Sequence, residues 1–131
     1  MSNSFIVENL GELRALQRVF REAKFCIEPD DIEVSDSPVV AKLFDRLIGA
    51  LVASEVERDG EVARQRWAKW LVIDDSRDEW DAALRRAVKE TRWNTFSIAD
   101  QAEYVRLLLS PFSVSPEMMD KFVAAVDRAR G

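Results

Sequence analysis

The stretch that decides the fold runs from Pro38 to Arg58 and reads PVVAKLFDRLIGALVASEVER. Its large apolar side chains recur at steps of three and four residues, the spacing that places side chains on one face of an α-helix. Ser37 precedes it as an N-cap, and Pro38 takes the first helical position, where a missing N–H is tolerated. The sequence therefore predicts a long helix over 38–58, and its wide apolar face predicts that this helix is central in the fold.

The same helical spacing continues on both sides of this segment. It predicts further helices over residues 9–24, 61–73, 77–92, 98–109 and 116–129. Ser76 and Glu79 form the S-x-x-E pattern of a capping box at the start of the helix over 77–92. Trp93 to Phe96 is predicted to be a turn.

Residues 25–37 form a connection without a clear period, in which Ile32 to Val34 alternates like a short extended piece. Elsewhere the helical pattern dominates, and serine caps recur at the predicted helix starts. The sequence therefore predicts an all-α fold. We expect a single compact domain, residues 1–131, with five or six helices packed around the helix near 38–58.

Composition places the chain among globular proteins, since 47% of its 131 residues are hydrophobic and 33% are charged. The sequence has no histidine and one cysteine, Cys26. That composition excludes His-based nucleophile pairs, His-ligated metals and an intrachain disulfide. No apolar run approaches the roughly 20 residues of a membrane span, and Met1 to Glu8 lacks the regions of a secretory signal. We therefore expect a cytoplasmic protein with no membrane contact, no metal and no cofactor.

The net charge of −5 is concentrated in one segment of the chain. Nine residues that contain no Lys or Arg carry five acids: Glu28, Asp30, Asp31, Glu33 and Asp36. The acidic residues outside this segment equal the 19 basic residues in number. Such a segment attracts a positively charged surface and repels phosphate backbones.

We therefore expect those five acids to bind a basic protein partner. An aromatic side chain, Trp70 or Trp93, is the expected anchor of the interface if it is exposed, because buried aromatic side chains carry much of the binding energy in interfaces. The alternative that stays open is that the acidic segment is only a solvated connection.

Two metal-binding hypotheses have weaker support. Asp74 to Asp78 reads D-D-x-x-D, a spelling that holds Mg²⁺ and a diphosphate in helical prenyl-diphosphate synthases, but no second metal-binding motif follows it. Acidic helical pyrophosphatases need paired E-x-x-E and E-x-x-D motifs, and the sequence contains no such pair. Acids at a helix start are favourable by themselves, so the sequence predicts a capping role for this motif.

Nucleic-acid binding is a further alternative. Trp67 and Trp70 stand among basic residues, and a second basic group shares one face of the helix over 77–92. The two basic groups are Arg64, Arg66 and Lys69, and Arg85, Lys89 and Arg92. The negative net charge argues against this function.

The function hypothesis follows from elimination and from charge. The sequence shows no catalytic constellation, so we expect a protein-binding domain and not an enzyme. The narrower hypothesis is an immunity protein that neutralises a basic bacterial toxin of the nuclease type, because an acidic inhibitor can occupy a positive cleft. The alternative is a regulatory or adaptor helical domain that binds itself or another protein. The sequence identifies neither the partner nor the oligomeric state.

Overall fold

The chain forms seven α-helices within residues 3–28 and 32–131, the residues that the computed structural model describes. The helices are α1 (Leu10–Lys24), α2 (Ile32–Ser35), α3 (Pro38–Asp59), α4 (Glu61–Trp70), α5 (Asp78–Val88), α6 (Ile98–Leu109) and α7 (Pro116–Arg130). A 3₁₀ turn occupies Trp93–Thr95. The predicted all-α fold is confirmed. None of the described helices is long and apolar enough to cross a membrane.

Most helices begin where a side chain can bond the first free N–H groups. Ser37, Ser97 and Ser115 each accept a hydrogen bond from the backbone N–H three residues later, and Asn9 does the same at α1. At Ser97 the capping box is complete, because Asp100 accepts from the N–H of Ser97. Each cap of this kind stabilises a helix by about 1 kcal/mol, and these predicted starts are confirmed.

The predicted capping box at the start of α5 is wrong. The N-cap of α5 is Arg77, and it makes no side-chain cap. The backbone N–H and the hydroxyl of Ser76 both donate to the carboxylate of Asp74, in the preceding turn. Glu79 turns inward instead, where it is buried and pairs with Arg77 and Arg21.

Three further boundaries differ from the prediction. The segment from Ile32 is helical and not extended, because the N–H of Asp36 and the hydroxyl of Ser35 both donate to the carbonyl of Ile32. Helix α4 ends at Trp70 because the chain then turns extended and bridges to Ser113. Helix α5 ends at Val88, where the chain enters a series of turns.

A buried apolar cluster lies among α5, α6 and α7. Trp80 of α5 packs edge-on against Phe122 of α7, with ring centroids 4.9 Å apart. Helix α3 packs between α1 and α4 and also contacts α2 and α6. Its Phe44 contacts Phe20 of α1 at 5.5 Å between ring centroids. The apolar core therefore extends well beyond the helix that dominates the sequence pattern.

Candidate functional site

A cleft of about 830 Å³ separates the connection between α1 and α3 from one side of α5. One side, which we call the acidic wall, consists of Ile27, Glu28, Ile32 and Glu33. The facing side, which we call the basic wall, consists of Arg85 and Lys89 of α5. The acidic segment and one basic group of the sequence thus meet across one cleft, whose volume is that of a typical binding pocket.

The acidic wall offers carboxylates and apolar groups to solvent together. Glu28 and Glu33 are exposed, and the isoleucine next to each of them, Ile27 and Ile32, is at least 44% exposed. Two of the five predicted acids, Asp30 and Asp31, lie outside the described residues. The wall therefore combines the two chemical features that protein interfaces use, apolar contact and charge.

Asp36 does not belong to the exposed part of the acidic segment. Its carboxylate accepts two hydrogen bonds from the guanidinium of Arg86, at 3.1 and 2.7 Å. The hydroxyl of Tyr104 donates to it at 3.2 Å. A two-point charged pair of this kind is among the stronger polar contacts in proteins. Asp36 therefore fastens the end of the connection to α5 and α6, and its charge is not displayed to a partner.

Glu90 is the second carboxylate that Arg86 contacts. It is buried, accepts from Arg92 at 2.8 Å and from Arg86 at 2.8 Å, and lies within 3.4 Å of the Tyr104 hydroxyl. The hydrogen bond from Arg92, with the nearby positive charges, lowers the pKa of Glu90 to about 2. Burial, with the charge of Asp36, raises the pKa of Tyr104 far above its ordinary value, so the phenol stays protonated.

We expect Glu90→Gln to reduce the pH dependence of stability on the acid side. The pKa of Glu90 is lower in the folded chain than the ordinary 4.5, so its ionised form stabilises the fold above that pH. This contribution disappears as the pH falls from 4.5 towards 2. Urea unfolding at a series of pH values should therefore show a gap in the free energy of unfolding between the wild type and Glu90→Gln. This gap should narrow as the pH falls through this window. A gap independent of pH would contradict the assigned ion pairs.

Lys24 is a buried cation that also lines the cleft. Its ammonium donates to the carbonyls of Leu107 and Leu108, each at 2.8 Å, in the last turn of α6. A cation is favourable at a helix C-terminus because the free carbonyls there carry partial negative charge. Burial lowers the pKa of Lys24 to about 8. Lys24 is not among the residues predicted from the sequence, although it lies four positions after Phe20 on the apolar side of α1.

The two predicted aromatic anchors lie away from the acidic wall. Trp93 is fully buried, and its Nε1 donates to Asp127 at 2.8 Å. The condition of exposure is therefore not met, and Trp93 cannot anchor a partner. Trp70 is half-buried, packs against Phe112 at 4.9 Å between ring centroids, and lines a different groove.

That second groove, of about 650 Å³, lies between α1, α3 and α4, and we call it the arginine groove. The buried carboxylate of Glu55 accepts from Arg14 and from Arg66, each at 3.0 Å, and from Nε1 of Trp67. Burial alone would raise the pKa of Glu55, but the three hydrogen bonds outweigh it and lower the pKa. A sequence signal existed here, because Glu55 follows Leu51 by four residues and so places a charge on the apolar face of α3.

The acids of the D-D-x-x-D motif do not converge on one point. Asp75 pairs with Lys121 at 2.5 Å, and Asp74 accepts from Ser76. In the described part of the chain, no three Asp, Glu, Cys or His side chains lie together as a group that could hold a metal ion.

The basic residues near the two tryptophans are also dispersed. Arg64 pairs with Glu61, and Arg66 pairs with Glu55, while Lys69 is exposed. The interleaved pattern seen in the sequence therefore does not form one continuous basic strip.

The basic wall of the cleft retains its charge. Arg85 and Lys89 are exposed and form no ion pair within residues 3–28 and 32–131. Within the part of the chain that the structure describes, the cleft thus presents positive groups without an ion pair, and exposed Glu28 lines the same cleft. Comparisons with protein-family models, with curated proteins and with solved structures found no match to this chain.

Proposed function

We propose that the chain is a protein-binding domain and that a partner with a basic surface docks on the acidic wall. The observation that supports this proposal is the pairing of exposed carboxylates with exposed isoleucines on that wall. Burying the isoleucines would contribute apolar contact, and the carboxylates would steer a positively charged partner and orient it.

Both ends of the wall are held in place. Lys24 fastens one end to the last turn of α6, and Asp36 fastens the other end to Arg86 of α5. Surface loops on a rigid scaffold are where binding residues are most often found. Fixing the ends also reduces the conformational entropy that binding would cost.

The basic wall restricts which partner can enter the cleft. A partner segment there meets positive charge from Arg85 and Lys89 on one side and negative charge from Glu28 on the other. Like charges in contact disfavour binding. The proposed partner therefore places Lys or Arg against the acidic wall, and carbonyl or carboxylate oxygens against the basic wall.

The narrower form of the proposal is an immunity protein that neutralises a basic bacterial toxin of the nuclease type. Its support is the net charge of −5 together with the exposed acids of the wall. A nuclease cleft must be positive to hold nucleic acid, so an acidic wall can cover it.

A second candidate is an adaptor or self-associating domain, and one observation favours it. Helices α1 and α3 pack together with Phe20 against Phe44. Each of these rings is directly preceded by an exposed apolar side chain, Val19 on α1 and Leu43 on α3. These two exposed side chains offer apolar surface on which a second protein could dock.

Charge reversal on the acidic wall tests the proposal. We expect wild-type protein to retain a basic partner from a lysate of the source cell, and we expect Glu28→Lys with Glu33→Lys to lose it. The same reversal should slow association with the purified partner at low salt, because steering is lost. Added salt should lower the association rate of the wild type towards that of the variant, since exposed charges are screened beyond about 8–10 Å.

The matched control reverses two exposed acids elsewhere, Glu57→Lys on α3 with Asp120→Lys on α7. This control has the same net charge as the test variant and should keep the partner. Circular dichroism should show the same helix content for both variants. A partner that binds the test variant and the control equally well would refute docking on the acidic wall. The product of the neighbouring gene is the first purified partner to try for the immunity form.

A further inference from the structure

We propose that the arginine groove binds a small molecule that carries a phosphate group. The groove lies between α1, α3 and α4 and has no lining residue in common with the cleft beside the acidic wall. The inference therefore does not rest on the proposed function, and either can fail without the other.

Four guanidinium groups from three helices converge on this groove. They belong to Arg14 and Arg21 of α1, Arg58 of α3 and Arg66 of α4. Each of these side chains remains at least 43% exposed, so its donors reach the solvent that fills the groove. A guanidinium has five N–H donors, and the ion pairs within the chain use only part of this set.

Buried carboxylates hold three of these arginines in position. Glu55 bonds Arg14 and Arg66 together, at 3.0 Å each. Glu79 is shared in the same way between Arg77, at 3.1 Å, and Arg21, at 3.5 Å. Each buried carboxylate thus orients two guanidinium groups and neutralises the charge of one. The result is a set of donors that is ordered before any ligand arrives, which lowers the cost of binding.

The net positive charge at the groove is equal and opposite to the charge of a dianion. The groove arginines and Arg77 make five positive groups, against three carboxylates, Glu55, Asp59 and Glu79. The local excess is therefore two positive charges, in a chain whose net charge is −5. A phosphate monoester carries about −1.5 to −2 at pH 7, whereas a carboxylate carries −1. Planar guanidinium groups also bind phosphate oxygens in pairs.

The groove has room and an apolar border for the rest of such a molecule. Its volume of about 650 Å³ lies within the range of small-molecule sites, roughly 300–1,000 Å³. Trp67 and Trp70 line one part of it, with their rings in edge contact at 5.1 Å. Their fluorescence gives a direct readout of occupancy.

Titration with adenosine monophosphate, inorganic phosphate and adenosine, at constant ionic strength, tests the proposal. We expect saturable binding of the two phosphate-bearing probes by tryptophan fluorescence and calorimetry, and none of adenosine. Tighter binding of adenosine monophosphate than of inorganic phosphate would indicate that the rest of the ligand also contacts the groove.

Arg58→Gln should weaken this binding about tenfold, because a hydrogen bond to a charged group is lost. The ion pair of Arg58 is with its exposed neighbour Asp59, at 3.8 Å, so no buried charge loses its partner. Arg66→Gln should weaken binding by a similar factor. The fold should tolerate this change, because Glu55 keeps its hydrogen bonds from Arg14 and Trp67. The control is Arg46→Gln, an exposed arginine of the same helix α3 that lies outside the groove and should bind like the wild type.

Three outcomes would overturn the proposal. The first is the absence of saturable binding by either phosphate-bearing probe to the folded wild type. The second is equal loss of affinity in Arg58→Gln and Arg46→Gln, which would mean a general charge effect. The third is binding of a single-stranded oligonucleotide without binding of either small probe, which would assign the groove to nucleic acid.

Discussion

Phe122→Ala is expected to lower the free energy of unfolding by about 3–5 kcal/mol. Phe122 is 0% exposed and packs edge-on against Trp80, within the apolar cluster that joins α5, α6 and α7. Truncation removes the ring from contact with its neighbours and leaves a cavity that a packed core fills only in part. This is the largest effect that we expect from a single substitution in the chain.

Urea unfolding followed by circular dichroism measures this change. The control is the same substitution at Phe5, which is 83% exposed and should change stability by no more than about 0.5 kcal/mol. If Phe122→Ala proved as mild as Phe5→Ala, the assignment of the core to α5, α6 and α7 would be wrong.

The second large effect is expected for Arg86→Gln, at about 3 kcal/mol of lost stability. The side chain of Arg86 is 13% exposed and neutralises two carboxylates, Asp36 at 2.7 Å and Glu90 at 2.8 Å. Without Arg86, Asp36 loses its bidentate ion pair and keeps the hydrogen bond from the neutral Tyr104 hydroxyl. Glu90 keeps its ion pair with Arg92. A poorly solvated charge without its ionic partner is costly.

A double-mutant cycle isolates the part of this effect that comes from the pair. Asp36→Asn combined with Arg86→Gln should destabilise the fold by less than the sum of the single substitutions, because each single change leaves the other charge behind. Arg85→Gln is the control, since it removes an exposed arginine from the next position on α5. Strict additivity would mean that the two side chains act independently and that Asp36 does not fasten the connection.

The sequence predicted the helices best where local signals agree. The prediction of α6 over 98–109 matches both bounds, because a complete capping box at Ser97 and a break at Ser110–Pro111 enclose an apolar period. Helix α3 was nearly as well predicted, because Ser37 caps its start, and Gly60 follows its last residue in a positive-φ conformation that suits glycine. These signals act within one turn of the chain, so they can be identified without knowledge of the fold.

The candidate site was harder to predict because its contacts are distant in sequence. Asp36 looks like one acid among five, and its ion pair with Arg86 spans 50 positions. The carbonyl partners of Lys24 lie more than 80 positions away. Trp93 looked like a possible surface anchor, since nothing in its neighbourhood indicates the bond to Asp127. Charge counting finds a concentration of acids, but only the fold determines which of them are neutralised.

The contacts that hold Lys24 and Asp36 at the two ends of the connection affect which of its residues can be substituted. Because each end is held by its own contacts with α5 or α6, the helices do not depend on the length of the chain between the two ends. Loop closure entropy grows slowly, by about 0.6 kcal/mol for each doubling of length. Insertion, deletion or exchange within the exposed residues 26–28 therefore has a small thermodynamic cost, whereas Phe25 packs against Phe112 and Ser35 of α2 is buried. The exposed residues of the connection that the structure describes are free to diversify towards new partners, while Lys24 and Asp36 must remain for the scaffold to persist.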